Sequence, residues 1–75
     1  MNKVVVEWTT DKDGDLAIKA NGKWYGFTVY VHPSEFYAED FAEGACIYSP
    51  FNDAEVEKLG LDNCKVETYT FKEEV

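Results

Sequence analysis

The residues whose side chains could carry a reaction are few. His32 is the only histidine, and Cys46 and Cys64 are the two thiols; a histidine beside a cysteine is the pairing that activates a thiolate nucleophile. Neither cysteine stands in a nucleophile signature, and no G-x-S-x-G elbow occurs. The same three residues fall short of a structural zinc site, which takes four ligands in paired spacings. Asp11, Asp13 and Asp15 alternate as carboxylates do at the opening of a calcium loop. The match ends there, because such a loop needs Gly at its sixth position and Glu at its twelfth, where this chain has Leu16 and Gly22. A solvated turn is the expectation for the three aspartates. The glycines are scattered, and nothing approaches a phosphate-cradling loop. The sequence therefore predicts a protein without a catalytic residue, a metal site or a cofactor.

The acidic residues are the informative set. Fifteen Asp and Glu face seven lysines and no arginine, for a net charge of -8. Through Ser34 four acids balance four lysines, whereas Glu35, Glu39, Asp40, Glu43, Asp53, Glu55, Glu57 and Asp62 stand against Lys58 alone. The excess thus belongs to the middle of the chain, and the expectation is that it gathers on one side of the fold. Phosphate recognition relies on arginine and on dense lysine, so direct nucleic-acid binding is disfavoured. Anionic membranes are disfavoured on the same ground. A basic protein partner fits the sign of the charge, which would steer encounter with it. Twelve aromatic residues exceed what so thin a core readily hides, and exposed Tyr or Trp beside acids makes an interface hot spot. The competing reading is that the acids only keep the domain soluble.

Those side chains have to be positioned by 75 residues, enough for one domain over 1–75 that buries only roughly 60% of its unfolded surface. Val4, Val6 and Trp8 alternate with Val5, Glu7 and Thr9, which predicts a strand over Lys3–Thr10. A turn at Asp11–Asp15 leads to a second strand over Leu16–Ala20. Asn21-Gly22 is a type I′ hairpin signal, followed by a third strand over Lys23–His32 with apolar residues on both faces. Such a strand is either central and covered on each side or offers an exposed aromatic surface. Ser34 could cap a short helix over Glu35–Glu43 with Tyr37 and Phe41 on one side, stopped by Gly44. Ala45–Tyr48 reads as a buried strand ended by Ser49-Pro50. Asn52 with Glu55 forms a capping box that starts a helix over Asp53–Leu59, and Gly60 stops it. Cys64–Phe71 is a final strand. The order β-β-β-α-β-α-β is that of an α+β fold, a small, mainly antiparallel sheet with two short helices.

The apolar run at Val4–Val6 is too short for a signal or membrane segment, so a cytoplasmic protein with reduced thiols is expected. In composition the chain is similar to DNA-mimic inhibitors from phages and mobile elements and to nuclease-immunity proteins; that likeness rests on no motif and transfers no residue. The function expected is a non-catalytic acidic binding domain, an inhibitor or DNA mimic. Its eight middle acids would occupy a basic nucleic-acid-binding surface on a target. The alternative is a structural or accessory module whose acidity serves solubility and whose aromatic third strand supports self-association, as in a homodimer, or docking into a larger assembly.

Overall fold

The computed structural model describes residues 4–28, 30–42 and 48–71. Four strands, β1 (Val4–Thr10), β2 (Leu16–Ala20), β3 (Lys23–Phe27) and β4 (Glu67–Phe71), form one antiparallel sheet in the order β3-β2-β1-β4. One α-helix, α1 (Asp53–Leu59), and three 3₁₀ turns, Pro33–Glu35, Ala38–Asp40 and Leu61–Asn63, complete the described elements. The predicted α+β class is the observed one.

Local chemistry sets the two hairpins. Asp11 Oδ1 accepts the N–H groups of Asp13 (2.8 Å) and Asp15 (3.0 Å), and Gly14 takes a φ of 85°. That closes the five-residue connection Asp11–Asp15 between β1 and β2. Asn21 and Gly22 have φ of 55° and 79°, the left-handed pair that a type I′ turn requires. Asn21 Nδ2 also donates to Phe41 O at 2.8 Å, fastening this hairpin to the segment that crosses above it.

Strand alternation divides the core in two. On one face Val6, Leu16, Ile18, Ala20, Tyr25 and Phe71 are buried beneath Phe41, with Trp8, Phe27, Phe36, Ala38 and Tyr48 packed around them. Phe27, Phe36, Phe41 and Tyr48 contact one another as rings, mostly edge to face, with Phe27 and Phe36 centroids 4.9 Å apart. On the other face Ala17 and Trp24 are buried under Leu61, with Phe51, Val56, Leu59 and Val66 beside them. Residues 30–42, with Tyr48, therefore cover the first face, and α1 with its following turn covers the β2–β3 half of the second. Beyond Thr9, which is buried and donates to Lys65 O at 3.1 Å, the β1–β4 half of the second face is open: Val5 is 55% exposed, and Glu7, Thr68 and Thr70 around it are exposed.

Three expectations need correction. The third strand stops at Phe27 instead of His32, and it lies at the end of the sheet order. It is nonetheless covered on both faces, with Trp24 only 4% exposed, and so offers no exposed aromatic surface. Its outer edge is closed in part by Phe51, whose N–H donates to Trp24 O at 2.8 Å. The helix expected over Glu35–Glu43 is replaced by the turns Pro33–Glu35 and Ala38–Asp40, with extended backbone at Phe36 and Tyr37 between them. The reason is which aromatics enter the core. Phe36 and Phe41 both pack against the sheet while Tyr37 points out, yet residues five apart sit about 140° apart around an α-helix. The broken segment turns both phenylalanines inward where a helix would not. The last strand begins at Glu67 rather than Cys64 because residues 61–64 finish the turn after α1, with Cys64 N–H donating to Leu61 O. Gly44, Cys46 and the strand expected at Ala45–Tyr48 lie outside the described residues except for Tyr48, which sits at a bend.

Candidate functional site

The better-defined acidic layer is built on α1. Asn52 Oδ1 accepts the Glu55 N–H at 2.8 Å and Glu55 Oε1 accepts the Asn52 N–H at 3.2 Å, the reciprocal cap that the sequence predicts. At the other end Gly60 has φ 66° and donates its N–H to Glu57 O. Val56 and Leu59 face the core, so Asp53, Glu55, Glu57 and Lys58 point to solvent. Asp62 returns beside the helix, where its Oδ1 accepts the Nε1–H of the buried Trp24 at 3.2 Å. Asp53, Glu57 and Asp62 consequently border one groove of about 320 Å³, with Asn63 at its end. An adjoining groove shares Asp53 and Asp62 and has Lys19 and Lys23 on its opposite wall. Lys19 Nζ lies 5.9 Å from the Trp24 ring centroid.

Glu35, Glu39 and Asp40 stand elsewhere. They belong to the two 3₁₀ turns over the first face of the sheet, where Phe36, Ala38 and Phe41 anchor the segment. Asp40 Oδ2 accepts the Tyr37 N–H at 3.2 Å, so this carboxylate stabilises its own turn. Glu35 and Glu39 are exposed, and Tyr30 and Tyr37 in the same covering segment are 65% and 66% exposed. The expectation that the middle acids gather on one side is thereby corrected. The sheet separates Glu35, Glu39 and Asp40 from Asp53, Glu55, Glu57 and Asp62, because the two segments cover opposite faces. Glu43 lies outside the described residues.

The remaining candidates are dispersed. His32 sits over the first face, with its ring against Trp8 and Tyr69. Cys64 is a free thiol at the end of α1 whose Sγ donates to Gly60 O at 3.2 Å, so the two belong to different layers. Among the described residues no group of three or more His, Cys, Asp or Glu side chains could hold a metal ion. No helix among them is long and apolar enough to cross a membrane. Sequence reasoning missed the Trp24–Asp62 hydrogen bond and the role of His32 as a cap on the turn at Pro33–Glu35. The second had a signal, since Pro33 follows it at the first position of the turn.

Comparison of the chain with protein-family models, with curated proteins and with solved structures finds no match. Its class is defined by architecture alone: a small α+β domain whose four-stranded antiparallel sheet carries acidic segments over both faces.

Proposed function

We propose that this chain is a non-catalytic protein-binding domain whose exposed carboxylates engage a basic surface on a target protein, of the kind a nucleic acid would otherwise occupy. The observation that carries this reading is the convergence of Asp53, Glu57 and Asp62 on one groove beside α1. Carboxylates held on a capped helix and an adjacent turn present negative charge at fixed spacing, and a partner's lysines and arginines complement it as they would phosphates. Glu35 and Glu39, on the opposite layer, raise the long-range attraction without sharing that contact. The reading names Asp53, Glu57 and Asp62 as the contact set and Glu55 as a residue occupied in capping.

The test is capture from source-cell lysate with the tagged protein, washed at low and high salt, followed by affinity measurement on the purified target with two variants. Asp53→Lys with Glu57→Lys should lower affinity at least tenfold while the far-UV circular dichroism is unchanged. Glu35→Lys with Glu39→Lys should lower it only by the loss of steering, visible mainly in the on-rate at low salt. Unchanged affinity in both variants would sink the proposal.

One observation favours a second reading, an accessory module that self-associates. Val5 is exposed on the half of the sheet that α1 leaves open, directly opposite Thr70 on β4. A dimer in sedimentation that is insensitive to salt and dissociates with Val5→Lys would replace the first reading by this one.

A further inference from the structure

His32 makes four contacts, and one of them decides which ring nitrogen carries the proton of the neutral ring. Its Nδ1 accepts the backbone N–H of Ser34 at 3.1 Å and lies 2.9 Å from Ser34 Oγ. Its ring packs edge to face against Trp8, with centroids 5.1 Å apart, and against Tyr69 at 5.4 Å. A backbone amide can only donate, so Nδ1 must be the unprotonated nitrogen and the ring is the neutral Nε2–H tautomer. The Ser34 hydroxyl can reverse its role and accept from a protonated Nδ1, but the Ser34 amide cannot. From this asymmetry we infer that His32 is a pH-operated latch on the Pro33–Glu35 turn: neutral, it caps the turn; protonated, it releases the Ser34 amide.

The aromatic partners decide which part moves. The edge-to-face packing on Trp8 and Tyr69 uses the body of the ring rather than Nδ1, so the ring stays seated on the sheet while the turn swings from it. Glu35 on the turn and Glu67 on β4, the register partner of Trp8, are the carboxylates on the elements packed against the ring. Tyr69 is the other ionisable neighbour, and Glu7 of β1 points to the far side of the sheet by strand alternation. The released turn carries Glu35 and leads directly into Glu39 and Asp40, so acidification loosens one of the two acidic layers and leaves α1 as it was. This latch operates whatever the domain binds and does not rest on the proposed partner.

The direct measurement is the through-hydrogen-bond coupling between Ser34 ¹⁵N and His32 ¹⁵Nδ1 in uniformly labelled protein, followed from pH 8 to pH 5 with the imidazole nitrogen shifts. The expected result is an Nε2–H tautomer with a resolved coupling at pH 8, and loss of that coupling in step with protonation of His32. The fluorescence of Trp8 should be quenched over the same range, read in a Trp24→Phe background. His32→Asn supplies a side-chain acceptor that does not titrate, and its Ser34 amide shift should be constant over this range. An Nδ1–H tautomer at pH 8, a coupling that survives protonation, or the same pH-dependent Ser34 shift in His32→Asn would each overturn the inference.

Discussion

Phe51 occupies the space that a side chain at position 26 would need: a Cβ built on Gly26 would overlap the Phe51 ring. The same residue donates its backbone N–H to Trp24 O, two residues earlier on β3. One residue therefore closes both the face, with its ring, and part of the outer edge, with its amide, of a terminal strand, and the absence of a Cβ at Gly26 is what admits the ring. Gly26→Ala should destabilise the domain by about 1–3 kcal/mol, the range for overpacking. In a Phe51→Ala background the same change should cost less than about 0.5 kcal/mol, and urea denaturation of the four proteins reads the coupling directly.

Asp62 has two roles that substitution can separate. Asp62→Ala leaves the buried Trp24 indole N–H without its acceptor and should cost about 1–3 kcal/mol in chemical denaturation. Asp62→Asn keeps an acceptor oxygen and removes the charge, so stability should change much less while binding to a basic target weakens. Equal losses of stability in both variants would mean that the charge, not the acceptor, holds Trp24.

The helix α1 is only seven residues long, too short to persist without tertiary support and good ends. Asn52→Ala removes the acceptor for the Glu55 N–H and should lower stability by about 1 kcal/mol. The helical signal should fall with it at intermediate urea.

Neighbouring valines on β1 should respond oppositely. Val6 is 1% exposed and Val5 55% exposed. Val6→Ala should cost about 1.5–3 kcal/mol, the worth of burying such a side chain, while Val5→Ala stays within about 0.5 kcal/mol. A large loss at Val5 in a concentration-dependent melt would instead report a self-associated face.

Much of the architecture was legible where one residue type has one use. Asn21-Gly22 turns a hairpin because both positions need positive φ, and Asn52, Glu55 and Gly60 bound α1 at both ends. The alternation in Lys3–Thr10 and Leu16–Ala20 assigns Val6, Leu16 and Ile18 to one buried face, as found. The segment 33–41 was not legible in the same way. Its spacing fits a helix through Tyr37 and Phe41, and only the rings of Phe27, Tyr25 and Tyr48 determine that Phe36 enters with Phe41 instead. The distribution of the acids was hidden for a related reason. Charge density along a chain says nothing about the face on which a connection crosses a sheet, and here the two acid-bearing segments cross on opposite faces. The seating of His32 on the sheet also needed the fold, because Trp8 and Tyr69 approach it only once β1 and β4 are paired, whereas its cap on Ser34 is local.

The pairing of β1 with β4 joins Val4 to Phe71 and Val6 to Tyr69. The β1–β2–β3 meander can form from neighbours, but the second flank of β1 waits for residues 59 to 67 positions away. Loop-closure entropy makes such distant contacts slow to form, so the rate of folding should be governed by the docking of β4 rather than by the hairpins. On a ribosome the meander would emerge with Val4, Val6 and Trp8 bordering an unfilled strand position, an interval in which another extended segment could take the place of β4.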